Sequence, residues 1–103
     1  MPEDRRLKLH NELEALEACK AYYKPPKNIS IEYPCFIYHR IPGEPYHANN
    51  HTYHYYRCWE IIFITEDCES TIREDMLNHF PMCRQIRDYT AENLYHHVFN
   101  LYY

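Results

Sequence analysis

The stretch Tyr55–Thr65, YYRCWEIIFIT, constrains this chain more than any other. Its aromatic and β-branched residues suit a pleated, half-buried surface, so it reads as a long strand. Alternation puts Trp59, Ile61 and Phe63 on one face, and Cys58, Glu60, Ile62 and Ile64 on the other. The first set is the heavier and should face helices. The second mixes a carboxylate with isoleucines, as expected of a face covered in an assembly or of a central strand covered on both sides. A second strand, Tyr33–Tyr38, precedes it. The connection, with Pro42-Gly43-Glu44-Pro45 and Asn49-Asn50, carries turn chemistry but is too long for a tight hairpin and reads as a protruding arm.

Around this pair the remaining elements follow from periodicity. Leu9, Leu13, Leu16 and Cys19 recur at helical spacing, with Glu12, Glu14, Glu17 and Lys20 mainly opposite, predicting an amphipathic helix over residues 4–21. Pro25-Pro26 cannot continue it, and residues 21–24 could add to a sheet edge. Ile72, Met76 and Phe80 predict a short second helix, started by Ser70 or by a Thr71/Glu74 capping box and stopped by Pro81. Residues 82–89 and 94–102 read as strands flanking a turn at Thr90–Asn93. The expected fold is one α+β domain over residues 1–103, with the N-terminal helix at about 4–21 and the sheet and second helix at about 29–103. Its sheet is mainly antiparallel, of about four strands, with two helices packed on one face.

Composition narrows the function classes. A chain of 103 residues with 46% hydrophobic and 25% charged residues is a globular composition with room for one core. No apolar run reaches membrane-span length and no secretory signal is expected, so the five scattered cysteines read as reduced thiols in a cytosolic setting. A net charge of −4 without a Lys/Arg cluster argues against gripping nucleic acid. Gly43 is the only glycine, which disfavours glycine-rich phosphate loops. His39, His47, His51 and His54 lack metal-ligand spacing, so a solvated polar arm is the ordinary reading and a metal site, with Cys35 or Cys58 joining, the remote one. Cys35 with His39, or Cys83 with any histidine, lacks the context of a catalytic pair. No cofactor is expected. Twelve tyrosines in so small a domain point to interfaces, where the ring supplies apolar area and the hydroxyl tolerates water.

The run Asp88–Tyr103, with Tyr89-Thr90-Ala91 before Asn93-Leu94 and the terminal Val98-Phe99-Asn100-Leu101-Tyr102, resembles a family of small phage proteins encoded among head–tail joining genes of long-tailed phages. Tyr23-Lys24-Pro25-Pro26, Tyr33–Tyr38, Ala48–Tyr53 and Leu77–Cys83 carry the same resemblance, which covers roughly Tyr22 to the end of the chain. Asn49 departs from the family's usual Asp, and residues 47–56 are richer in His and Tyr, which bears on contacts of the arm rather than the fold. Members resemble tail terminators, many being labelled minor capsid proteins. The resemblance implies a hexameric ring of α+β subunits that caps the tail tube, stops its polymerisation and joins it to the head connector. It would sit at the head–tail junction of a virion assembled in the host cytoplasm, touching itself, tube protein and connector or stopper, with no membrane, and DNA only passing through. Another junction component, a head-completion or stopper protein, is the near alternative; a small metal-binding protein or enzyme is the remote one.

The strand pattern and the resemblance together suggest which residues would fill these roles. The subunit interface takes Cys58, Glu60, Ile62, Ile64, Phe99, Leu101 and Tyr103. Contact with tube or connector takes Gly43, Glu44, Tyr46, His47, Asn49, Asn50, His51 and Tyr53. The channel lining takes Glu66, Asp67 and Glu69, where negative charge keeps DNA from sticking, although interaction with the following helix dipole also accounts for them.

Overall fold

The computed structural model describes residues 2–26, 28–41, 47–48, 51–52 and 58–103, with the side chains of residues 2–4, 47, 48, 51 and 52 outside that description. The order is α1 (Pro2–Glu17), β1 (Lys20–Tyr23), β2 (Cys35–Arg40), β3 (His47–Ala48), β4 (His51–Thr52), β5 (Cys58–Thr65), α2 (Ile72–His79), β6 (Cys83–Ala91) and β7 (Leu94–Tyr102). Strands β3 and β4 form a small antiparallel pair of their own. The remaining strands make one mixed sheet in the order β1-β2-β5-β7-β6. All its pairings are antiparallel except β1 with β2, which is parallel. The α+β class and the helix-covered sheet follow the sequence expectation. The fifth strand is the short extended piece after α1, which joins the edge beside β2.

Both helices press on the same face. Leu9 and Leu13 from α1 and Ile72 and Met76 from α2 form one buried cluster with Phe36, Tyr38, Trp59, Ile61, Phe63, Phe99 and Leu101. These sheet residues are register neighbours: Phe36 lies opposite Phe63, Tyr38 opposite Ile61, and Ile61 opposite Phe99. Burial of each large side chain contributes about 1.5–3 kcal/mol, so this layer dominates the stability of the domain. The helices run antiparallel to each other, since Glu12 meets His79 whereas Glu17 meets Asp75.

Scarcity of glycine shows in the turns. Helix α1 ends with Ala18 at φ 51°, and the Cys19 N–H reaches back to the Glu14 carbonyl at 3.3 Å, the closing bond of a Schellman motif. The β6–β7 hairpin turns on Glu92 and Asn93, at φ 53° and 65°. Two successive positive φ values match the sense of the strand twist in a two-residue loop. The turn is two residues shorter than the sequence suggests, because Thr90 and Ala91 stay in the ladder opposite Tyr95 and Leu94. A register shift between Gln85 and Arg87 leaves Ile86 unpaired as a bulge in β6. The start of α2 also differs from the expected capping box. Ser70 Oγ accepts the Ile72 N–H at 3.2 Å, and the Thr71 hydroxyl donates to Asp75 at 3.0 Å, not Glu74.

Candidate assembly surface

The face of the sheet turned away from the helices is organised in rows across the strands. Register places Tyr22, Ile37, Ile62, Val98 and Arg87 in one row, which is apolar in its middle and ends in the exposed Arg87 at the β6 edge. The adjacent row is polar: His39 lies opposite Glu60, Glu60 opposite Asn100, and Asn100 opposite Arg84. Beyond it Cys58 faces Tyr102. On the far side of the apolar row, Ile64 faces His96, and His96 faces Tyr89 with the two rings stacked at 4.6 Å.

Within the polar row His39 Nε2 lies 2.9 Å from Glu60 Oε1. The pair is partly solvated, with 36% and 30% of the side chains exposed, so in a lone copy it is worth a surface pair's fraction of a kcal/mol. Under a covering partner the same contact would keep the Glu60 carboxylate hydrogen-bonded. Ile37 and Ile62 are half-buried on this face, whereas Ile64 and Val98 are already buried at 6% and 1% exposure.

This geometry redraws the interface expected from sequence. Cys58, Glu60 and Ile62 lie on the helix-free face as expected. Phe99 and Leu101 lie on the other side, with 0% and 1% exposure inside the helix-covered core, and are closed to a partner. The cause is parity along β7: both alternate sets carry apolar residues, and Phe99 and Leu101 take the helix side, turning Val98, Asn100 and Tyr102 outward. Ile64 shares the outward parity but is buried. Tyr103 turns to the helices, where its hydroxyl donates to Glu12 Oε2 and its ring meets Phe80 edge-on at 6.0 Å. Burial and the neighbouring Glu12 carboxylate push its phenol well above the usual range. Sequence reasoning left out Ile37, Asn100 and Tyr102, which register alone brings beside Ile62, Glu60 and Cys58 in turn.

Gly43, Glu44, Tyr46, Asn49, Asn50 and Tyr53 lie outside the described residues; of His47 and His51 only the backbone is described, in the β3–β4 pair. Glu66, Asp67 and Glu69 form an exposed turn directly after β5. Asp67 shapes it, its Oδ1 accepting the Glu69 N–H at 2.9 Å while its own N–H donates to Thr65 Oγ1 at 3.1 Å. Beside this turn a cleft of about 360 Å³ also takes in Glu17.

Reactive chemistry finds little support in the geometry. Cys35 and His39 stand four residues apart on one strand, about 13 Å, out of reach of each other. Burial pushes the Cys35 thiol up to about 12 and those of Cys19 and Cys83 to about 11, the reverse of an activated nucleophile. Among the described residues no group of three or more His, Cys, Asp or Glu side chains is placed to hold a metal, and no helix is long and apolar enough to cross a membrane. No family model, no curated protein and no solved structure matches this chain.

Proposed function

We propose that the chain is a structural virion protein, a tail terminator of a long-tailed phage, whose copies form a hexameric ring that caps the tail tube, stops its polymerisation and joins it to the head connector. One observation carries the reading: the terminal run that resembles this family forms the β6–β7 hairpin, and β7 runs beside β5 through the helix-free sheet face. An apolar row flanked by a self-compensating polar row suits a surface that spends its working life covered. The subunit contact then rests on Cys58, Glu60 and Ile62, joined by Ile37 and Tyr102. The arm from Gly43 to Tyr53 reaches tube or connector. The protein performs no reaction and takes no cofactor.

Electron micrographs of tails assembled without this protein test the reading. Tails of runaway length are the expected result. Tails of normal length that lack heads would contradict termination and assign the chain to another junction component, such as a stopper.

A further inference from the structure

Charge is divided between the two ends of the molecule. At one end α1, the α2–β6 connection and the last residues of β7 enclose a cleft of about 570 Å³. Arg5, Lys8 and His79 line it together with one carboxylate, Glu12. Both oxygens of that carboxylate are engaged: Oε1 lies 3.2 Å from His79 Nε2, and Oε2 accepts the Tyr103 hydroxyl. The Arg5 guanidinium lies 5.8 Å from the centre of the Tyr103 ring. Lys8 is exposed and makes no ion pair among the described residues. With Glu12 engaged by His79 and Tyr103, the exposed Lys8 ammonium is left facing solvent at the rim of the cleft.

At the other end β5 runs out into the turn Glu66–Glu69, whose residues are all exposed. Its backbone is pinned by the Thr65 hydroxyl and the Asp67 carboxylate, so Glu66 and Glu69 project from a preset loop. Lys8 and Glu17, which borders this acidic end, are separated by about 14 Å of helix, and β5 from Cys58 to Thr65 spans about 23 Å. The turn and the cleft of one molecule cannot meet.

We infer that the cleft formed by Arg5, Lys8 and His79 receives the acidic turn, Glu66 to Glu69, of a second copy of this chain. Local charge complementarity is the ground for this occupant: the turn carries three exposed carboxylates on a pinned backbone and meets the exposed Lys8 at the cleft. The contact is head-to-tail. Each copy keeps one turn and one cleft unfilled, so the arrangement either closes into a ring or continues. The inference stands on charge distribution and not on a virion role, and it takes the turn away from the channel lining expected from sequence.

Sedimentation equilibrium at about 0.02 M and about 0.3 M salt tests it. Wild-type chain is expected to self-associate at low salt and to loosen at high salt. Lys8→Glu and Glu69→Lys, both at exposed positions and checked for folding by circular dichroism, should each weaken association about tenfold. The doubly reversed chain should regain it, and so should a mixture of the two single variants, in which unaltered and reversed contacts alternate. Association untouched by either reversal but lost with Ile62→Glu overturns the inference and leaves the sheet-face reading standing. Wild-type chain that stays monomeric at low salt overturns it too, as does a cleft that binds a single-stranded oligonucleotide in a Lys8-dependent way without self-association.

Discussion

At the scale of single residues, the lone glycine sets the terms. Among the described residues, four sit at positive φ without being glycine: Ala18, Lys24, Glu92 and Asn93. Asn tolerates this region, but Ala18 has a Cβ that crowds the backbone and no side-chain polar group to compensate. Ala18→Gly is therefore expected to stabilise the domain by about 0.5–1 kcal/mol, read as a rise in Tm with the fold unchanged. The cysteines separate by burial in the same direct way. Cys68 is exposed whereas Cys35 is fully buried with its thiol held up near 12, so alkylation in native buffer should label Cys68 first and Cys35 only on unfolding. Neither feature was legible beforehand: composition announced the missing glycines but not where the chain turns left-handed, and thiols in strands looked alike until register gave each a face.

Elements were the most legible scale. The spacing of Leu9 and Leu13 and the alternation of Trp59, Ile61 and Phe63 marked the core side of α1 and β5, and the structure keeps all five buried. Strand β7 was found but its facing was not, because Val98 and Tyr102 are as apolar in sequence as Phe99 and Leu101, and only pairing with β5 decides between them. A contact between the helices was also invisible. Glu17 closes α1 against Asp75 of α2, and its carboxyl is pushed from 4.5 to about 7, first by burial and then by the bond to Asp75 and that group's charge. Asp75 in turn accepts the Thr71 hydroxyl, and Glu66 and Asp67 line the same cleft as Glu17. The raised value fixes the sign. Between pH 4.5 and about 7 the folded chain holds a proton that the unfolded chain has lost, so this contact contributes fully below that window and is lost as pH rises through it. Glu17→Gln, which keeps a donor and removes the charge, should leave stability unchanged near pH 4.5. It should stabilise the fold at about pH 8 by on the order of 1 kcal/mol, discounted for solvent screening, and flatten the slope of denaturation midpoint against pH.

At the scale of the whole molecule, a mixed sheet covered by helices on one side leaves the other side to be explained. Its rows combine half-buried isoleucines with a His39–Glu60 pair in a way that a solvated face does not need and a covered one does. The tyrosine count hinted at such a surface without locating it, since Tyr38 went to the core while Tyr22 and Tyr102 went to the open face. The account stands or falls on whether that face closes against other copies. Native mass spectrometry of the wild-type chain beside Ile62→Glu tests this most directly. The account predicts a closed multi-copy species for the wild type and folded monomers for the variant. A wild-type chain that remains monomeric at every concentration, with tail tube protein present or absent, would contradict it.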